Sequence, residues 1–497
     1  MEDLIEDEFA GYTRAAKYQL YALFFFLGVL NHLGTILVMT GGRLLSIQLG
    51  MNNYVPIYIS VSTVFNLAIR LLNSKFCLKV SYKKRVIIIC FMNITGYLTM
   101  FGVLKLHEGP LNSMKELCFV LSFIPCFLLG ASYAFGESAM IAYLRLFPKT
   151  LIGGWSSGTG VSGCISGLLN FLTQLFGSFS LDILYLVLTP VGPLYLLLFF
   201  WTYKLLKKDL DIPSGELVRD TTTITSNATK SEKDEDSDAI NTEENLINDK
   251  GEEGEEKETY EGENSQADSS NIDDINKLNK TMSCANFKAV MKMCGRTIIN
   301  LGIIYFLYFI CISCLVIRDC DKIDIPFLPL EINTTTNTTY YKNVTTNETM
   351  KNVTETISQE KYRKGKYEFI NLFFQFGMFT AKTLIKLVRK IKPIEIYTGS
   401  IFGITIIYFV QYYTEFMPYW AFPIVNYILG CFSGGTYSGA FYSILHSGKV
   451  IQEYKELTVN IATLFNDLGT FLSGLVGYVL LNFVVRYPDP HPGQEIK

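Results

Sequence analysis

Histidine is scarce in this chain: four residues among 497 (His32, His107, His446 and His491), each isolated from the others. No zinc-protease motif, Walker loop or nucleophile–histidine pattern occurs, which weighs against a membrane enzyme or an ATP-driven pump. Cysteine is commoner, but Cys90, Cys118, Cys126, Cys164, Cys311, Cys314 and Cys431 fall in apolar stretches. Cys311 and Cys314 share a helical face, yet no further ligands complete a metal site. Packing is the expectation for them, and no cofactor or metal is implied. Charged residues make up only 18% of the chain, so most of it has no claim on water.

What is abundant is uninterrupted apolar sequence. Mean hydropathy is +0.25 even though two long polar loops dilute it. Eleven apolar stretches lie near 18–40, 53–73, 86–104, 118–144, 152–176, 181–203, 297–317, 367–385, 393–414, 418–445 and 457–485. About 20 apolar residues cross a hydrocarbon core as a helix. In lipid the backbone must satisfy its own hydrogen bonds, so such stretches read as helices and not strands. The expectation is an all-α polytopic membrane protein of eleven transmembrane helices, grouped six and five. The first stretch follows an acidic start (Glu2, Asp3, Glu6, Asp7, Glu8) with no small-residue cleavage pattern after it, so it reads as a retained span.

Lysine and arginine near span ends favour the cytosol. They gather at Lys75, Lys79, Lys83, Lys84 and Arg85, at Arg145 and Lys149, at Lys204, Lys207 and Lys208, and at Lys386, Arg389, Lys390 and Lys392. Alternate loops are therefore basic. This places residues 1–17 in the cytosol as a tail, 18–203 as a six-helix bundle, 204–296 as a cytosolic loop, 297–485 as a five-helix bundle and 486–497 as a lumenal tail. The loop 318–366 then faces the lumen. It holds Asn-x-Thr sequons at Asn333, Asn337, Asn343, Asn347 and Asn352, so topology and motif agree on N-glycosylation.

The cytosolic loop differs in kind. Between Asp209 and Lys280 it carries 22 acidic and 7 basic residues and almost no large apolar groups. Such composition cannot offset its own ordering entropy, and disorder is expected. A solvated linker accounts for the charge. Glu243-Glu244-Asn245-Leu246-Ile247 also looks like an acidic di-leucine signal, which would make sorting adaptors the partners of this loop.

Polar groups inside spans are costly in lipid and mark candidate sites. Glu137 in span four and Asp467 in span eleven are the two carboxylates placed to bind a proton or cation. A carboxylate satisfied by neighbouring helices is the alternative. Arg70 and Lys382 lie near cytosolic span ends, where snorkelling explains them. Asn31 and His32, mid-span, suit either solute binding or interhelical bonding.

The densest small-residue stretch is Gly153-Gly154-Trp155-Ser156-Ser157-Gly158-Thr159-Gly160, continuing to Gly163 and Gly167. Each helical glycine costs about 1 kcal/mol relative to alanine. Close packing through Gly154/Gly158 and Gly163/Gly167 would compensate. So would a broken helix whose free amides face an anionic solute. A second cluster, Ser433-Gly434-Gly435-Thr436-Tyr437-Ser438-Gly439, lies in span ten.

At these residues the chain resembles the battenin family of lysosomal membrane proteins. The resemblance is carried by Gly136-Glu137, Phe147-Pro148 and Trp155 to Gly160, by Glu453-Tyr454-Lys455-Glu456 through Asp467-Leu468-Gly469 to Leu475, and by Gly430 to Gly435 with Tyr437. It spans about 20–203 and 297–480 and leaves out both polar loops. It implies a major-facilitator-like fold, distantly similar to equilibrative nucleoside transporters. It also implies a lysosomal or vacuolar membrane, with Golgi or endosome as the alternative. The implied activity is export of glycerophosphodiesters, with effects on lumenal pH and basic amino acids. Carried across by position, Glu137, Trp155 to Gly160 and Asp467 are the site candidates, joined by Asn31, His32, Arg70 and Tyr437. The chain departs from the family at Asn31-His32 (Asn-Asn expected), at Ser62 and Leu307 (acidic residues expected), and in lacking a C-terminal prenylation box. The functional expectation is alternating access to a small-molecule solute, a phosphodiester anion meeting the span-five amides and Arg70 while Glu137 or Asp467 exchanges a proton. The rival is a non-transporting regulator of lysosomal traffic acting through the acidic loop.

Overall fold

The computed structural model describes residues 14–51, 54–77, 80–109, 114–144, 147–148, 150–176, 180–210, 280–323, 325–326, 328–338, 355–363, 365–384, 394–446 and 450–484. The chain divides into a main unit of 1–200 with 276–497 and a small unit of 201–275. Nearly all of the small unit, including the di-leucine-like motif, lies outside the described residues.

Every predicted span is helical. The first half comprises α1 (Arg14–Thr40), the short α2 (Gly42–Gln48), α3 (Val55–Leu72), α4 (Tyr82–Glu108), α5 (Lys115–Leu121) with α6 (Phe123–Leu144), α7 (Leu151–Phe176), and α8 (Leu181–Val187) with α9 (Val191–Leu210). The second half comprises α10 (Cys284–Ile310) with α11 (Val316–Lys322), α12 (Lys366–Thr383), α13 (Ile394–Thr414), α14 (Ala421–His446) and α15 (Gln452–Val479).

Span four is broken at Ser122 because Pro125 has no N–H for the Leu121 carbonyl and its ring crowds that position. Span six is broken in the same way before Val191, where Pro190 interrupts the ladder. Span seven starts earlier than the apolar run predicts. Its helix begins at Cys284, capped by the Ser283 hydroxyl, which accepts the Asn286 amide at 3.1 Å. The 318–366 loop holds the one sheet among the described residues, an antiparallel hairpin of β1 (Leu330–Thr338) and β2 (Glu355–Arg363). β-Branched threonines suit that extended pairing.

Among the described residues, eight spans are long and apolar enough to cross a membrane on length and composition alone. The helices α7, α12 and α14 fall short, for a physical reason. α7 packs against α1 and α12, and α12 against α14, so protein and not lipid surrounds much of their surface. Small and hydroxylated residues are tolerated there and let backbones approach. A Cβ at Gly158 would run into the Phe25 carbonyl of α1, and one at Gly430 of α14 into the Phe374 carbonyl of α12. Among the described residues, one apolar core lies within the first half and includes Leu37, Leu45, Tyr97, Leu104 and Tyr185. Another lies mainly in the second half and joins Ile304, Leu315, Ile370, Phe374 and Leu429 to Val55 and Ile59 of α3.

Candidate functional site

Arg70 lies in the last turn of α3, just before a π-helical turn at Asn73–Cys77. It does not snorkel. Its side chain is 1% exposed, because carboxylates from two other helices draw it inward. The guanidinium fork directs its donors to separate acceptors. Nη2 donates to Glu137 Oε2 of α6 at 2.6 Å, and Nε donates to Asp467 Oδ2 of α15. Nη1 donates to the Ala134 carbonyl at 3.2 Å and the Ser138 hydroxyl at 3.0 Å.

The second oxygen of Glu137 accepts the Tyr437 hydroxyl of α14 at 2.7 Å and faces His32 Nε2 of α1 at 3.5 Å. His32 in turn meets Tyr133 and Trp155 edge to face, with centroids 4.8 and 5.8 Å away. Lys382 of α12 is also buried. Its Nζ donates to Thr159 of α7 at 3.1 Å and sits 4.4 Å from the centroid of the Tyr437 ring. No carboxylate of the described residues lies within ion-pairing distance of it, so its charge rests on a hydroxyl and a π-face. Snorkelling therefore fails for Lys382 as well as for Arg70. Two cations and two carboxylates occupy this centre, and their charges balance.

His32, Arg70, Glu137, Tyr437 and Asp467 are thus brought into direct contact. Trp155 joins through His32 and Thr159 through Lys382. Ser156 meets Ser438 of α14 at 3.0 Å. Asn31 ties α1 to the Tyr133 carbonyl at 3.3 Å. Ser157 is buried, and its hydroxyl has no hydrogen-bond partner among the described residues. Gly158 packs on the α1 backbone and does not face the charged centre. The helix α7 is unbroken from Leu151 to Phe176, so its interior amides are spent on its own carbonyls. The broken-helix anion site is overturned, because close contact with α1 compensates the glycines. Tyr133 and Ser138 are members that sequence reasoning passed over, and Ser438 figures there only as part of a small-residue cluster. The four-residue step from Tyr133 to Glu137 is the signal that could have found the first.

Contacts between the halves continue on the side of Asn73. Arg85 pairs with Glu456 at 2.9 Å with both side chains fully buried, and Asn73 donates to Asn460 at 2.8 Å. On the opposite side of the charged centre lies a small cleft lined by Ile59, Tyr308, Phe309, Asn371, Phe374 and Gln375 among others. Asn333 and Asn337 lie on β1, while Asn343, Asn347 and Asn352 lie outside the described residues.

A two-half bundle of this kind is a multi-pass membrane protein with a major-facilitator-like fold. A bacterial homologue of the iron transporter ferroportin, in an outward-facing state, matches with a TM-score of 0.51 at 11% identity, over 93% of this chain and 92% of that one. A D-xylose–proton symporter gives 0.49 at 9% identity, over 93% and 89%. The chain belongs to the CLN3 protein family, whose sequence profile matches residues 22–317. Battenin of Dictyostelium discoideum is 27% identical over 181 residues, which is 36% of this chain and 40% of that relative. The match to that relative therefore spans less than half of its length. The profile ends before the motifs at 430–437 and 453–475, so the family assignment rests on the first half and the start of the second.

Proposed function

We propose that this protein is a transporter that moves a small organic anion across a lysosomal or vacuolar membrane by alternating access. The observation that carries the reading is Arg70, held in one half by Glu137 and from the other half by Asp467, with Lys382 beside it lacking a carboxylate. Family membership and fold support a membrane transporter. The substrate, compartment and coupling ion are proposals.

The mechanism follows from charge. With Arg70, Lys382, Glu137 and Asp467 all ionised the centre is neutral, and a neutral buried centre is the least costly one. A monoanion binding at Lys382 adds a negative charge. One proton on Asp467 restores neutrality and releases the Asp467 link to Arg70. The tie between the halves then loosens, and the bundle rocks. Anion and proton cross together, so an acidic lumen drives export. A glycerophosphodiester is the best candidate solute, since it is a monoanion with hydroxyls. The loss of the α7 amides as an anion site moves the expected phosphate contact to Lys382. The sequence-derived topology puts the Arg85–Glu456 side in the cytosol and the cleft in the lumen, as an exporter awaiting lumenal solute requires. Sorting adaptors at the acidic loop, and glycans on the 318–366 loop, belong to the same proposal.

The test is uptake of a glycerophosphodiester into proteoliposomes holding the purified protein, with an imposed proton gradient. Flux that rises with acid on the solute side supports the reading. Absence of flux, with solute accumulating in organelles that lack the protein, would favour a regulator acting through 209–280.

A further inference from the structure

The buried face of α12 carries more than Lys382. Asn371, Gln375, Met378 and Lys382 follow one another at four, three and four residues, so they share one stripe of the helix. Asn371 and Gln375 are 3% and 4% exposed, and both line the cleft. A buried amide without partners costs on the order of 1–3 kcal/mol per group. Yet Asn371 Oδ1 has no partner among the described residues, and Gln375 makes no hydrogen bond with them.

The facing helix makes room for this stripe. A Cβ at Gly163 of α7 would overlap Gln375 Oε1. One turn away on α7, Thr159 meets Lys382. Gln375 at the cleft and the buried ammonium of Lys382 therefore lie on one stripe of α12, ~10 Å apart along two helical turns. The cleft end of that stripe presents neutral amides, each with donors and an acceptor, beside the aromatic walls of Tyr308, Phe309 and Phe374. Amides match hydroxyls, which also donate and accept, and aromatic faces cover C–H surface. Neither matches a second charge.

We infer that Asn371 and Gln375 form a neutral subsite for the hydroxyl-bearing end of the solute whose anionic group sits at Lys382. This rests on the transporter reading and adds a specificity determinant to it. The chemical class is an extended organic monoanion with a polyol arm. A bare anion of equal charge fills only half the site.

The test compares two probes in proteoliposomes of the full chain: a diglycerol phosphodiester and diethyl phosphate, which has the same charge but no hydroxyls. The variants are Gln375→Met, nearly isosteric, and Asn371→Leu, each taken forward if its melting temperature matches the wild type. Gln375→Met alone decides if Asn371→Leu does not fold. The expected result is a fall of about tenfold or more in uptake of the diglycerol phosphodiester, because its hydroxyls lose their partners. Uptake of diethyl phosphate stays unchanged. An equal loss for both probes, or no loss for either, overturns the subsite while leaving the transporter reading intact. Wild-type protein moving neither probe overturns both.

Discussion

Arg70 and Glu137 meet at 2.6 Å within the first half of the bundle, and Asp467 reaches the same guanidinium from the second half. One cation therefore serves two bonds with different consequences. The first holds α3 to α6. The second holds half to half.

Glu137→Gln leaves a buried guanidinium with one carboxylate instead of two. Breaking a buried pair from one side costs about 3–5 kcal/mol, so the purified protein should melt well below wild type. Arg70→Lys should not rescue it, since an ammonium lacks the fork that serves Glu137, Asp467 and Ser138 together. Thermal unfolding in detergent checks both. An unchanged melting temperature for Glu137→Gln would mean the pair adds nothing.

The Arg85–Glu456 pair closes one end of the interface beside Asn73 and Asn460. Asn460→Cys should resist a membrane-impermeant thiol reagent in otherwise wild-type protein and become reactive when Arg85→Ala is added. The charge swap Arg85→Glu with Glu456→Arg should restore protection. Peptide mass spectrometry reads the modification at this site, and equal labelling in all three backgrounds would rule out a gate here.

Two glycine substitutions should act in opposite directions. Gly158→Ala sets a methyl against the Phe25 carbonyl, where only backbone movement gives relief. Overpacking of this kind costs about 1–3 kcal/mol. Gly102→Ala in α4 meets nothing within 4 Å and should stabilise by about 0.5–1 kcal/mol through helix propensity. Melting temperatures that move the same way for both would contradict the packing described for α7.

Asn333→Gln and Asn337→Gln should each remove one glycan, seen as a mobility step that glycosidase treatment erases. Glycans found at these positions would place the hairpin on the lumenal side. A chain that carries none on the 318–366 loop in cells would undercut the topology.

The helices were legible because lipid imposes one requirement on every span: enough apolar length with self-satisfied backbone. The breaks at Ser122 and before Val191 were legible in principle from Pro125 and Pro190, though hydropathy runs straight through them. The charged centre was half legible. Glu137 and Asp467 stand out as carboxylates in apolar sequence, but nothing local says that they share Arg70, from which they lie 67 and 397 residues away. Without those partners Arg70 and Lys382 read as snorkelling cations, the ordinary fate of a cation near a span end. The glycine run read equally as a packing face or a broken helix, because the deciding group, the Phe25 carbonyl of α1, is remote in sequence. Asn371 and Gln375 were silent, being common polar residues whose meaning depends on what they fail to touch.

In the proposed cycle Asp467 carries the proton that accompanies the anion, and uptake of a glycerophosphodiester into proteoliposomes across a range of pH tests this step. Wild-type flux should rise with acid on the solute side. Asp467→Asn should keep exchange of solute across the membrane but lose both its pH dependence and its ability to concentrate solute against a gradient. Gradient-driven uptake by Asp467→Asn with the wild-type pH profile would contradict the account.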